Sequence, residues 1–470
     1  MGISTGTGLS SGIDYTSMIT QLMQIEAQPQ DLLKNQLADS QDDAKAYREI
    51  NTSLASLSSA AQALTGSGVT AARKASSSST TAAATAGATA VPGSSVSFSV
   101  SQLATAQTSL SAGTWASSSD PMQAATSSTG TMPGWPLTVT QGGKSTTIKL
   151  DAGASLNDAA AAINKSGAGL SASVIHLDTG YKLQVTGAAT GTVGSFKMTS
   201  DADPTGSAFT SAAPQDAIIK IGGMPLTSSS NTFNELLTGV SVTVSQVSAA
   251  TDAATTITVA NDTSAVTAKV KAMIDAANTA LSTIRRNTDS SQGSPAALKG
   301  NWTLTNLASQ MLTQVSNAVG GSSPAKAGIS LSRDGTIRFD ATVFSAALVA
   351  DPTLTQKIVG GATGAGADNI NYTPDDTIDT DGLASRLSSL AERASDSAAG
   401  MITNLANSQD ARTKDIQKQI DVWNLRLASR KASLTTQFNA MEKALGALQS
   451  QSTWLTGQLK SLPSWSSSDS

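Results

Sequence analysis

Two apolar stripes, one at each end of the chain, constrain this sequence more than any other feature. Leu33, Leu37, Ser40, Ala44, Tyr47, Ile50, Leu54, Leu57, Ala61 and Leu64 step by threes and fours without a break. That spacing is the heptad period of a coiled coil. No proline lies between Pro29 and Pro92 to interrupt it. The far end mirrors the near one: Ile416, Ile420, Trp423, Leu427, Leu434, Phe438, Met441, Leu445, Leu448, Leu455 and Leu459 form a second seam, with Trp454 beside it. One irregular step near Arg430 and Lys431 reads as a stutter. Charges flank this stripe at Lys414, Asp415, Lys418, Asp421, Arg426, Glu442 and Lys443.

A single helix with such a stripe does not stand alone in water, because ordering its backbone costs more than one uncovered face returns. The two stripes pair with each other, with copies from other subunits, or with another protein. The bland alternative is two ordinary amphipathic helices packing within one domain. The chain before about residue 40 and after about residue 420 has the least neighbouring sequence to bury against. We expect these ends to be mobile in an isolated subunit and to order on assembly.

The opening stretch, GTGLSSGIDYTSMITQLMQIEAQP from Gly6 to Pro29, admits three readings. Its glycines at Gly6, Gly8 and Gly12 miss the G-x-G-x-x-G spacing, and no G-K-[ST] follows, so it is not a phosphate cradle. The first basic residue is Lys34 and no apolar h-region precedes it, so it does not read as a cleaved signal peptide. A helix entry remains, with Asp14 as N-cap and Ile19, Leu22 and Ile25 on one face.

Between about Ala75 and Thr263 the period changes to two. SSVSFSVSQLA alternates through Val96, Phe98 and Val100, and WPLTVTQGGKSTTIKL reads as strand, Gly-Gly turn and strand. AIIKIGGMPL and GVSVTVSQV repeat the signal, with serine- and alanine-rich loops around them. The helical period resumes through Val266, Val270, Met273, Ile274, Ala277 and Leu281, and again through Leu304, Leu307, Met311 and Val315. GISLSRDGTIRFD is a hairpin with Asp334 and Gly335 at its turn.

Composition excludes most chemistry. The formal charge is −4 over 470 residues, with no arginine between Arg73 and Arg285, which argues against a nucleic-acid footprint. No 18-residue apolar run exists to span a membrane. There is no cysteine, and the one histidine, His176, sits in an alternating run beside Asp178, where a surface or half-buried place is expected. Zinc sites and thiol chemistry are thereby set aside, and no cofactor is expected. The run DDTIDTDG, with Asp375, Asp376, Asp379 and Asp381, lacks the acids that an EF-hand needs at Thr377 and Ser388. We read Asp379 or Asp381 there as a helix cap. The five glutamates (Glu26, Glu49, Glu235, Glu392 and Glu442) are scattered, so no carboxylate pair stands out and no enzyme is expected.

The expected fold is α+β and multidomain: terminal coiled-coil arms and a helical stem flanking inserted β-rich domains. Residues 1–45 and 416–470 are expected as terminal leg segments, and 46–74 with 264–415 as a helical stem carrying the hairpin near 329–340. Residues 75–128 with 214–263 make a first β-rich head, and 129–213 a second. Tyr47, Ile50, Leu54, Leu57 and Leu64 form the stem seam. Ile19, Leu22, Ile25, Leu33, Leu37, Trp423, Leu427, Leu434, Phe438, Met441, Leu445, Leu448, Trp454, Leu455 and Leu459 are the candidate assembly contacts.

This layout resembles the axial proteins of the bacterial flagellum, and within them the hook-associated protein 2 family. Four stretches carry the likeness. GLSSGIDYTSMITQLMQIEAQPQDLL (Gly8 to Leu33) is similar to the family's amino-terminal signature, a glycine-rich lead, an aspartate and a helix ending near proline. SLNDAAAAINKSGAGLSASVIHLDTGYKLQVTGAATGT (Ser155 to Thr192) resembles a repeat shared with flagellins, through Ile163, Asn164 and Leu183. AIIKIGGMPLTSSSNTFNELLTGVSVTV (Ala217 to Val244) carries the Ser230–Asn231–Thr232 and Gly239–Val240 steps. RLASRKASLTTQFNAMEKALGALQSQSTWLTGQL (Arg426 to Leu459) carries Phe438, Met441 and Glu442, then Gln449 to Gln451, Trp454 and Leu455.

The resemblance implies a filament cap: a ring of identical subunits, commonly pentameric, at the growing tip, which retains exported flagellin and guides its folding into place. It implies legs made of the chain ends and a plate made of the β-domains. It further implies flagellin, hook–filament junction proteins, the flagellar type III export apparatus and an export chaperone at the C-terminal helix as partners. Export would leave the amino-terminal segment uncleaved. Another axial protein, flagellin or a junction protein, and a surface adhesin are the alternatives.

Overall fold

The computed structural model describes residues 14–124, 133–249, 251–364 and 377–460. Gly6, Gly8 and Gly12, and Asp375 and Asp376, lie outside them, as does the side chain of Asp379. The fold is α+β. Its helices are α1 (Tyr15–Gln62), α2 (Leu156–Lys165), α3 (Thr263–Thr288), α4 (Trp302–Ser316), α5 (Ala341–Ala350), α6 (Pro352–Val359), α7 (Leu383–Ser395) and α8 (Met401–Lys460). The chain forms two compact units, Met1–Val69 with Thr267–Ser470, and Thr70–Val266.

In the helical unit, α1 starts where the sequence places its cap: the Asp14 carboxylate accepts from the Ser17 amide at 3.0 Å. The helix does not end near Pro29, contrary to the expected signature; it runs unbroken for 48 residues with Pro29 inside it. An interior proline removes one helical hydrogen bond at a cost of about 3 kcal/mol. The turns around it are anchored elsewhere, since Glu26 pairs with Arg430 at 3.1 Å and Gln30 donates to Asn424.

Helix α8 runs antiparallel to α1. Going up α1, partners are met in descending order along α8: Tyr15 on Phe438 (ring centroids 5.0 Å apart), Glu26 on Arg430, Gln30 on Asn424, Ser40 on Thr413, Arg48 on Asp410. Tyr47, Ile50, Leu54 and Leu57, and Leu64 just past the helix end, are all buried. The Tyr47 hydroxyl accepts from Asn301 at 2.9 Å, the residue that caps α4, so the seam is tied to its neighbours by a polar contact as well. The stripes read in α3 and α4 form the rest of this core, with Val270, Met273, Ile274, Leu304 and Met311 nearly inaccessible. The hairpin Ile329–Leu331 with Ile337–Phe339 turns where expected, and Asn278 of α3 grips it by two 2.8 Å bonds to the backbone of Ile337.

Helix α7 corrects one expectation. Its N-cap is Gly382, with no side-chain cap, and not Asp381. Gly382 sits so close to Gly361 that a Cβ on it would lie 2.1 Å from the Gly361 amide nitrogen. Only glycine fits there, and packing outweighs the preference for a polar cap.

Among the described residues every strand pair of the β-rich unit is antiparallel, and the unit has two cores. Around Phe98, Val100, Ile219, Phe233, Val242 and Ile257, a five-stranded sheet faces a three-stranded one. The five strands are, in order, Arg73–Ser77, Thr255–Asn261, Ser95–Gln102, Ala217–Ile221 and Met224–Ser228. The second core gathers Trp115, Leu137, Leu156, Ile163, Leu183 and Phe196 between a four-stranded and a three-stranded sheet and α2. Strand Ala106–Ser111 pairs within that second group, and Met122 packs there too. Glycines 142 and 143, both at positive φ, turn the hairpin Leu137–Gln141 with Lys144–Ile148, as the spacing requires.

Candidate assembly site on the terminal helices

Extending the seam of α1 backwards from Ser40 by heptads gives Leu37, Leu33, Gln30, Glu26, Met23 and Ile19, and this is the face turned to α8. Ile19 and Gln30 are buried, and Met23, Glu26, Leu33 and Leu37 half-buried. Leu22 and Ile25, placed with Ile19 by the sequence reading, lie off this face and are 44% and 65% exposed. They belong to a second stripe, Met18, Leu22, Ile25, Pro29 and Leu32, open to solvent. The true seam was obscured because it passes through Glu26 and Gln30, which a search for apolar residues skips. The heptad count alone finds it.

On α8, Ile416, Ile420 and Leu434 are buried, and Trp423, Leu427 and Phe438 half-buried against α1. Further along, Met441, Leu445, Leu448, Trp454, Leu455 and Leu459 are exposed, from 36% to 63%. Five of them continue the same heptad spacing, so the stripe outlasts the stretch of α8 that α1 covers. A groove of ≈ 580 Å³ runs beside the pair, lined by Ile25, Pro29, Trp423, Arg426, Leu427 and Arg430. The Arg426 guanidinium stands over the Trp423 ring at 4.8 Å. An apolar floor rimmed by Glu26, Arg426 and Arg430 suits an amphipathic helix better than a small ligand.

One charged cluster sits where the coil enters the stem. Burial raises the Asp43 carboxyl above its usual range, and Asp39 and Asp42 add to this while Arg412 opposes it. The Tyr47 hydroxyl is raised chiefly by burial, then by Asp43. A carboxyl with a raised folded pKa favours its neutral form in the fold. Its contribution is therefore complete below the unfolded pKa and is lost as pH rises through the folded value. Asp43→Asn should raise the melting temperature of the helical unit at pH 7 and leave it unchanged near pH 3. Melting curves at the two pH values check this, and a lower melting temperature at pH 7 would refute the assignment.

The remaining chemistry is sparse. His176 is exposed and stacks on Tyr181 at 4.5 Å. Among the described residues no group of three acids or histidines is placed to hold a metal, and no helix is long and apolar enough to cross a membrane.

A coil of α1 and α8, flanking in sequence a β-rich unit that carries the flagellin hook IN motif at residues 136–189, defines a flagellar axial protein. The family model for the flagellar hook-associated protein 2 C-terminus matches residues 214–450, half of the chain, and that for its N-terminus matches 11–107. The chain belongs to the flagellar hook-associated protein 2 family. It is 26% identical to the flagellar hook-associated protein 2 of Escherichia coli K12 over 93% of this chain and 98% of that one. It is 32% identical to the lateral flagellar hook-associated protein 2 of Vibrio parahaemolyticus over 142 residues, 29% of this chain and 32% of that one. Among solved structures, the D1-D2-D3 domains of the flagellar cap protein from Escherichia coli match in fold, with a TM-score of 0.57 at 24% identity. That match covers 77% of this chain and 99% of the other.

Proposed function

We infer that this protein caps the distal end of a bacterial flagellar filament, where copies of it retain exported flagellin and promote its folding and addition at the tip. Family membership carries this reading over flagellin, a junction protein or an adhesin. The observation that fits it physically is the heptad stripe of α8 from Met441 to Leu459, exposed beyond the stretch paired with α1. Such a stripe awaits other helices, and the filament tip offers them.

In this reading residues 1–45 and 416–470, which include the start of α1 and the end of α8, are legs set into the filament. Residues 46–74 with 264–415 are the stem, and the two β cores form the plate. Leg contacts run through Leu22, Ile25, Met441, Leu445, Leu448, Trp454, Leu455 and Leu459. A ring whose subunit number differs from the lattice makes unequal contacts around the tip, and a yielding leg opens a place for the next flagellin. The chain is exported unfolded through the flagellar type III apparatus, without cleavage, and the exposed end of α8 is where an export chaperone would hold it. The protein thus works outside the cell, at the filament tip.

Expressed in a motile strain lacking its own cap, this chain should restore filaments and stop flagellin leaking into the medium. Flagellin in the culture supernatant, measured by immunoblot, reads the result. Leakage unchanged despite export of the chain would overturn the cap assignment.

A further inference from the structure

Within the α1–α8 pair the seam changes character at one layer. From Ala44 to Ala61 each seam position of α1 is buried, and apolar apart from the Tyr47 hydroxyl that Asn301 satisfies, and α7 closes on the same stretch, where Ser58 and Ser388 hydroxyls meet at 3.4 Å. At Ser40 the seam turns polar although it stays buried, at 3% exposure. The Ser40 hydroxyl donates to Gln409 Oε1 at 3.0 Å and accepts from the Thr413 hydroxyl at 3.2 Å. Nearer the start of α1, Leu37 and Leu33 are only half-buried, and Gln30, 5% exposed, reaches Asn424 beside Pro29.

Opening an apolar layer exposes hydrocarbon to water, which nothing replaces. Opening a layer held by hydroxyl and amide groups exchanges those bonds for bonds to water at small net cost. Two-helix pairing on one side of Ser40 therefore meets many-helix packing on the other, with the cheapest layer between them.

We propose that the Ser40–Gln409–Thr413 layer is a built-in parting point, beyond which residues 15–39 and 414–438 open together as one segment while the stem seam stays shut. The device fixes where the pair separates, so Tyr15, Ile19, Leu434 and Phe438 are released to a new helical partner at once rather than by gradual fraying. It deepens the reading of these helices as legs and rests on that reading only for its use. Parting is read by amide exchange and capping by filament growth, so either can fail alone.

The test is native-state hydrogen exchange, followed by mass spectrometry, on the full chain. Amides of 15–39 and 414–438 should share one opening rate, at least roughly tenfold faster than those of 47–61. S40A/T413V, which replaces both hydroxyls of the layer by hydrocarbon and leaves the half-buried Gln409 amide to turn to water, should slow the distal segments about threefold or more and leave 47–61 unchanged. S40D, which puts a charge in the same layer, should speed the distal segments about tenfold or more, again with 47–61 unchanged. A smooth gradient of rates with no step near residue 40 would overturn the proposal. So would an S40A/T413V chain with wild-type distal exchange, or an S40D chain whose stem opens along with the legs.

Discussion

A chain lacking its first 38 residues is expected to keep its β-rich unit folded and to fail to cap. The truncation takes away Tyr15, Ile19, Glu26 and Gln30, and with them the partners of Phe438, Arg430 and Asn424. The distal half of α8 then carries an apolar face along its whole length with no second helix from its own chain. Two-helix pairing is cooperative, so this half loses its order as a unit. The unit Thr70–Val266 has its own two cores, made of residues the truncation does not touch. Its unfolding transition should therefore be retained within about 0.5 kcal/mol, while rescue of filament growth in a cap-less strain drops to background. Thermal melting of the purified chain and a swarming assay give the two readings. Filament growth restored by the truncated chain would show that the legs lie elsewhere.

The second large effect separates the stem from the legs. Leu54 lies at the centre of the α1 seam with no accessible surface. Leu54→Ala removes three carbons there and leaves a cavity in a region ringed by helices, so the helical unit should lose about 2–5 kcal/mol. The β-rich unit should melt as before. Leu448 has the same chemistry but is 59% exposed. Leu448→Ala should change stability by less than about 0.5 kcal/mol, yet weaken capping if this stripe meets the filament. Paired denaturation and leakage measurements distinguish the two. A stable Leu54→Ala chain, or an unstable Leu448→Ala chain, would contradict the division into stem and leg.

Much of this was legible in the sequence because it depends on local geometry. The positions from Ala44 to Leu64 face one way for any helix of this sequence, and burying them needs only a partner with the same period. The hairpins at Gly142–Gly143 and Asp334–Gly335 follow from which residues tolerate positive φ. The Asp14 cap follows from its place before the first helical turn. A further signal went unread: Ser155 and Asp158 form a capping box that opens α2, and the S-x-x-D spacing announces it.

Other features were settled only when distant parts met. Pro29 reads as a helix end because its local cost is real; pairing of its flanking turns with α8, some 400 residues away in sequence, offsets that cost. Leu22 and Ile25 are as apolar as Ile19, and only the direction from which α8 approaches decides that Ile19 is covered and they are not. Gly382 displaces Asp381 as a cap because Gly361 packs against it, which no window of local sequence contains. Periodicity and turn chemistry are properties of neighbours along the chain, so the sequence by itself determined the helices, the strands and the stripes. Which stripe is filled and which is left for another molecule depends on long-range packing, and the tertiary structure alone decided it.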